Sequence, residues 1–157
     1  MPKTIKIIVI AIGAAFVFCI GRCFYMVACI SCTIPHIKDY KCAGTVNGFE
    51  IALKSLANNH RNITYKIRDT VGTKDVGFAY DIDINLTDSV NSFLYNIRCE
   101  GSPGGKLAVG LIGAFDLNHK KGGYGLKANG IEEVLRVFDT NILTPLSSEQ
   151  HLKLQAL

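Results

Sequence analysis

This chain contains no tryptophan, and it has 2 methionines and 4 prolines among its 157 residues. Tryptophan is a common anchor of protein interfaces, so any interface of this protein depends on other side chains. The sequence also lacks internal repeats and low-complexity segments, which excludes repeat architectures and linker-like chains. Once an apolar N-terminal stretch and its connector are set aside, about 115 residues remain, which is enough for one small domain.

A basic face is missing as well. The whole chain carries a formal net charge of +4 at pH 7, but from residue 41 onward it has 13 basic and 12 acidic residues. Nucleic-acid-binding domains usually show a basic face or stripe. The one basic cluster, His119-Lys120-Lys121, is predicted to be a charged hairpin tip. We therefore expect no nucleic-acid partner.

Motifs for catalysis, cofactors and metals are also missing or incomplete. No serine or cysteine stands in a nucleophile-elbow context. The glycine-rich segments 101–105 and 122–125 fall in hairpins, whereas phosphate loops lie between a strand and a helix. Segment 81–88 (Asp-x-Asp-x-Asn-x-x-Asp) lacks the turn glycine of a calcium loop. Segment 29–42 (Cys-x2-Cys-x3-His-x5-Cys) has the span of a zinc knuckle with its histidine one place off. The sequence predicts no catalytic residue, cofactor or metal ion.

The chain does have a long apolar N-terminus. Residues 7–34 contain one charged residue, Arg22, and they follow Lys3 and Lys6. A transmembrane helix needs about 20 apolar residues, and residues 5–26 reach that length if Arg22 extends toward the headgroups. We expect an uncleaved signal anchor within residues 1–35, with residues 5–34 in contact with a membrane.

Three alternatives remain open for this stretch. Cys19-Ile20-Gly21 is a tolerable cleavage site for a signal peptide. Met26-Val-Ala-Cys29 is a poor bacterial lipobox, which would place a lipid on Cys29. The third alternative is a buried helix of a soluble protein, although the stretch is longer than a domain of this size needs to bury. The flanking lysines slightly favour a cytoplasmic N-terminus, so we expect the domain outside the cytoplasm, in a periplasmic or extracellular setting.

Two of the six cysteines, Cys42 and Cys99, lie beyond the apolar stretch. In an exported domain they are the natural disulfide pair. Closing that loop would stabilise the fold by roughly 4 kcal/mol in the chain-entropy model. Two unrelated buried thiols are the alternative, since a sequence does not show whether two Cβ atoms meet.

Hydrophobic periodicity predicts an α+β domain over residues 47–157, after a connector at residues 36–46. A period of 3.6 residues predicts helices over 47–58 and from Ile131 to Phe138, and Ser147 with Gln150 predicts a further helix start. Between the helices, a period of two predicts five strands, over 63–67, 78–86, 93–99, 107–117 and 124–128. Their short, turn-rich connections indicate an antiparallel β-meander, flanked and covered by helices.

One face of this predicted sheet is apolar and needs a cover. Within the fourth strand, Leu111 is in phase with Leu107, Val109, Phe115 and Leu117. If a helix stands away from the curved sheet, the apolar face can line a cavity for a lipid-like ligand. The side chains expected to line it are Phe78, Tyr80, Ile82, Phe93, Tyr95, Leu111 and Phe115.

Because no acid, base and nucleophile converge in this pattern, we expect a non-catalytic function. The first hypothesis is a membrane-tethered domain outside the cytoplasm that binds a protein or helps to assemble an envelope complex. The alternative is a carrier of an apolar ligand between the sheet and a helix. An enzyme is the less favoured third class.

Overall fold

In the computed structural model, the described residues are 13, 18–22, 35–73, 77–102, 106–150, 152 and 154–156. The chain divides into two units, residues 1–34 and 35–157. Residues 13 and 18–22 are helical, and the rest of the expected anchor, including Cys29, lies outside the described residues. Within the described residues, none of the helices has the length and apolar character needed to cross a membrane.

Residues 35–157 form an antiparallel seven-stranded sheet with a few helices, which confirms the α+β class. The elements in chain order are β1 (Lys38–Ala43), α1 (Val46–Asn59), β2 (Ile63–Thr73), β3 (Gly77–Thr87), β4 (Ser92–Ser102), β5 (Lys106–Asp116), β6 (Lys121–Gly123), α2 (Ile131–Phe138), a π-helix (Asp139–Leu143), α3 (Thr144–Glu149) and β7 (Leu154–Ala156).

The strand order in the sheet is β2-β3-β4-β5-β1-β7. The four long strands β2 to β5 are sequential antiparallel neighbours, as the periodicity predicts. The fifth predicted strand differs, because β6 ends at Gly123 and residues 124–128 form turns. β1 and β6 lie along the same edge of β5. β1 pairs with residues 106–111 of β5, and β6 pairs with residues 114–116.

Two strands were not predicted. β1 occupies most of the expected connector, and only two of its side chains, Tyr40 and Cys42, are buried, which is a weak alternation signal. β7 is only three residues long. Both are held by distant segments, since β1 pairs with β5 and β7 pairs with β1. Strand formation depends more on such neighbours than on the intrinsic preference of the segment.

The helices confirm the 3.6-residue pattern and cover one side of the sheet, which we call the core face. α1 is capped by Thr45, whose Oγ1 accepts a hydrogen bond from the Gly48 N–H at 3.1 Å. This bond satisfies one of the free amides at a helix start. At the C-terminus the prediction was wrong by one turn: α3 begins at Thr144, directly after the π-helix, so Ser147 lies inside the helix.

A β-bulge divides β5 into two parts. Asn96 of β4 pairs with Gly113 and Ile97 pairs with Leu111, so Ile112 has no partner on β4. An extra residue in one strand reverses the side-chain alternation beyond it. Leu111 therefore lies on the core face, whereas Phe115 lies on the opposite side, which we call the outer face. The expectation that Phe115 and Leu117 share a face with Leu111 is wrong for this reason.

The expected disulfide is not formed, and Cys42 and Cys99 are buried free thiols. Cys42 pairs with Leu107 from one side of β5, and Cys99 pairs with Val109 from the other side. Two strand spacings of about 4.8 Å each separate their Cα atoms. That separation exceeds the limit of about 7 Å for a disulfide. Burial raises the pKa of both thiols, most of all that of Cys99.

Candidate functional site

The side chains expected to line an apolar cavity occupy both faces of the sheet. Ile82, Phe93, Tyr95 and Leu111 are buried on the core face, and Phe115 lies on the outer face. Tyr80 is half-buried opposite Cys99. Phe78 belongs to β3, and its side chain lies outside the described part of the chain.

Helical side chains pack directly against the core face. The Tyr95 ring centroid lies 4.8 Å from that of Phe138 in α2. The Tyr95 hydroxyl donates a hydrogen bond to the Val134 carbonyl at 3.2 Å. Burial, with the charges of Asp116 and Asp139, raises the pKa of Tyr95. Tyr95 is therefore a satisfied core residue.

The outer face carries a partly exposed apolar cluster, which we call the outer patch: Leu94, Phe115, Leu117 and Tyr124. Leu117 and Tyr124 are 51% and 54% exposed. The Phe115 and Tyr124 rings meet edge to face, with centroids 5.0 Å apart and planes at 77°. Leu94 pairs with Phe115 across the strands. The bulge in β5 creates this patch, because it turns Phe115 and Leu117 outward.

The outer face beside the patch is polar, and it carries paired charges. Arg98 donates two hydrogen bonds to the Asp81 carboxylate at 2.7 and 2.8 Å, and this contact raises the pKa of Arg98. Asn96 donates to Asp83 Oδ1 at 2.6 Å. These carboxylates belong to segment 81–88, so its resemblance to a calcium loop reflects strand alternation.

A cleft of about 330 Å³, which we call the sheet-end cleft, opens near α2, where β3 and β5 end and β4 begins. Polar side chains from separate segments line it, among them Asn62, Asp116, His119 and Glu133. Several segments thus place hydrogen-bonding groups in one concave site, which is typical of ligand-binding clefts.

Asp116 orients the imidazole ring of His119 in the sheet-end cleft. Asp116 is 6% exposed, and its Oδ1 accepts from the backbone N–H groups of Asn118 and His119 at 3.1 and 3.0 Å. His119 Nδ1 lies 2.9 Å from Asp116 Oδ2. Because a carboxylate only accepts, Nδ1 carries the proton and Nε2 is left as an acceptor in the neutral ring. Burial alone would raise the pKa of Asp116, but the hydrogen bonds and charge of His119 and the Asn118 amide lower it overall.

A second cleft, of about 420 Å³, lies between β1 and the π-helix. Asp139 accepts from Lys38 Nζ at 2.8 Å and from the Tyr40 hydroxyl at 3.0 Å. Burial, then the charge and hydrogen bond of Asp139, raises the pKa of Tyr40. These contacts tie β1 to the π-helix, so we assign the cluster a structural role.

The zinc-knuckle pattern is not assembled in the described residues. The His36 ring lies on the outer face over Gly110 and contacts Asp39, whereas Cys42 is on the core face. Cys29 and Cys32 lie outside the described residues. Across the described ranges, no three His, Cys, Asp or Glu side chains are grouped closely enough to hold a metal ion.

Sequence reasoning missed the outer patch and the sheet-end cleft. The patch depends on a bulge that periodicity does not reveal. The cleft had one local signal, an aspartate three residues before a histidine at the end of a strand, as in Asp116 and His119.

Comparison with protein-family models, curated proteins and solved structures found no match to this chain.

Proposed function

We propose that this chain is a membrane-tethered, non-catalytic binding domain held outside the cytoplasm. In this proposal residues 5–34 contact the membrane, and residues 35–157 bind a protein partner through the outer patch. The single observation that carries the proposal is the exposure of Leu117 and Tyr124 beside Phe115, on the sheet face opposite the helices.

The chemistry of the outer patch supports a protein partner. Contiguous exposed apolar side chains mark interaction surfaces on soluble domains. Protein interfaces combine an aromatic centre with a polar rim. Phe115 and Tyr124 supply the aromatic centre, and the paired charges around Asp81 and Arg98 supply part of a rim. A chain without tryptophan has these two residue types as its aromatic anchors.

The tether and the compartment rest on the sequence. The length of the apolar stretch and the lysines before it favour a signal anchor. The disulfide no longer contributes to the argument for export, because Cys42 and Cys99 are free. Assembly of an envelope complex remains the context that we favour for the protein partner.

An apolar-ligand carrier is the weaker candidate. Such a carrier needs space between the sheet and a helix, and Tyr95 already contacts Phe138 and Val134 of α2. A lipid-like ligand would have to displace α2 from the core face.

Site-specific photo-crosslinking tests the protein-binding proposal. A photoreactive residue placed at position 117 or 124, in cells that make the full-length protein, should give a discrete crosslinked adduct with one protein. The matched control is position 51 on α1, where Ile51 is 61% exposed and lies away from the patch. Adducts at 117 and 124, and none at 51, support the proposal.

A substitution in the outer patch tests whether the partner recognises the patch or only collides with an exposed probe. With the probe at 124, Leu117→Ser should reduce the adduct yield, whereas Ile51→Ser should leave it unchanged. Equal adducts from position 51, or no adduct from either patch position, would reject the outer patch as the binding surface.

A further inference from the structure

Each charged side chain that lines the sheet-end cleft already contacts a partner within the chain. Lys121 Nζ contacts Glu133 Oε2 at 2.7 Å, and this pair raises the pKa of Lys121 and lowers that of Glu133. His119 Nδ1 donates a hydrogen bond to Asp116 Oδ2 at 2.9 Å. Asp88 accepts from the backbone N–H groups of Val90 and Asn91 at 2.7 and 2.6 Å. Its three carboxylates outnumber its one lysine, which disfavours an anionic ligand, and each carboxylate already accepts a hydrogen bond from the chain, so a neutral ligand fits the lining better than a cation.

The groups that remain are neutral hydrogen-bonding groups. Asn91 and Asn141 each donate one side-chain N–H, to Asp88 and to the Val137 carbonyl, and each keeps a second N–H as a donor and its carbonyl oxygen as an acceptor. The His119 Nε2 is a further acceptor when the ring is neutral. Within the described residues, the side-chain amide of Asn62 makes no hydrogen bond, so it offers both donors and an acceptor.

An apolar wall completes the cleft. Phe93 and Val137 line it beside these amide groups. A volume of about 330 Å³ is at the small end of the range for ligand sites. Amide donors and acceptors around an apolar wall suit a compact molecule with many hydroxyl groups and C–H faces. An extended peptide backbone, in contrast, pairs best with a free strand edge.

We propose that the sheet-end cleft binds a neutral polyhydroxylated ligand of one or two sugar units. Asn62, Asn91, Asn141 and His119 hydrogen-bond its hydroxyl groups, and Phe93 and Val137 contact its C–H face. This site is separate from the outer patch, so its test is independent of the protein-binding proposal.

Saturation-transfer NMR on the full-length protein, in a detergent without a sugar headgroup, tests the assignment. The probes are glucose, galactose, mannose and N-acetylglucosamine, with inorganic phosphate and diglycine as charged and peptide comparisons. At least one sugar should bind with a dissociation constant in the millimolar range, and phosphate and diglycine should not compete with it. Losing one hydrogen bond changes affinity about threefold to tenfold, so Asn141→Ala should weaken binding by about that factor and Asn62→Ala/Asn141→Ala by more.

Asn58→Ala is the matched control, because Asn58 is an exposed residue of α1 that does not line the cleft. It should leave the sugar affinity unchanged, and all variants should keep the circular dichroism spectrum of the parent. The proposal is overturned if none of the four sugars binds, if the cleft variants bind the sugar as tightly as the parent, or if phosphate or diglycine displaces it.

Discussion

The outer patch depends on the absence of a side chain at position 113. A Cβ atom built on Gly113 would lie 2.8 Å from Asn96 Oδ1, 2.8 Å from the Phe115 ring and 3.0 Å from the Tyr124 ring. Asn96 cannot move freely, because it is buried and bonded to Asp83. Gly113 therefore lets two aromatic rings and a buried amide meet over one backbone position.

Gly113→Ala should destabilise the domain by about 1–3 kcal/mol, the usual effect of overpacking a filled site. It should also separate the Phe115 and Tyr124 rings. Urea unfolding measures the first effect, and ring-to-ring NOE intensities measure the second. The matched control is Gly125→Ala, where a Cβ meets nothing within 4 Å. A stability change of less than about 0.5 kcal/mol is expected there. Equal effects of the two substitutions would contradict the close packing at Gly113.

At the scale of elements, local periodicity predicts those parts of the fold that are decided locally. The stripes from Phe49 to Ala57 and from Ile131 to Phe138 are the buried faces of α1 and α2, and the two-residue periods mark β2 to β5. β1 and β7 were missed because distant partners stabilise them. The outer patch was missed because the alternation reverses at Ile112, and sequence spacing does not show a bulge. The sheet-end cleft was missed because separate segments meet there only in the folded chain.

The bulge can be tested by comparing three aspartate substitutions along β5. Leu111→Asp and Ala114→Asp should each cost several kcal/mol out of a typical total of about 5–15 kcal/mol, because both side chains are buried on the core face. Phe115→Asp should cost about 1–2 kcal/mol, mainly the lost packing with Tyr124. Urea melts give the three values.

Uninterrupted alternation makes the opposite prediction for this series. It places Phe115 with Leu111 inside and Ala114 outside. If Phe115→Asp is severely destabilising and Ala114→Asp is only mildly so, β5 has no bulge at Ile112.

At the scale of the whole molecule, residues 35–157 contain a continuous core of their own. Its buried apolar side chains run from Ile37 to Leu146 and come from the sheet, α1, α2, the π-helix and α3. A core of this kind is the requirement for a domain that folds by itself.

Deleting residues 1–34 should convert a membrane-bound protein into a soluble, cooperatively unfolding one. Fractionation of cells that make the two forms, followed by a urea melt of the shorter one, provides the measurement. The full-length protein should sediment with membranes and need detergent for extraction. If residues 35–157 are insoluble while the full-length protein is monodisperse in detergent, the N-terminal stretch packs against the domain and the division is wrong.

The pairing of β1 has a consequence for how the chain folds during synthesis. Among the strands that the structure describes, β1 is the first in chain order, yet its partners are β5 and β7, which follow it at a distance. The hairpins from β2 to β5 bring together residues that are close in the chain, so they can assemble while synthesis continues. Contacts between distant segments form slowly because a long loop must close first. We therefore expect β1 to remain unpaired until β5 has been synthesised. Of the strands in this domain, β1 is then the one that most needs protection by a chaperone.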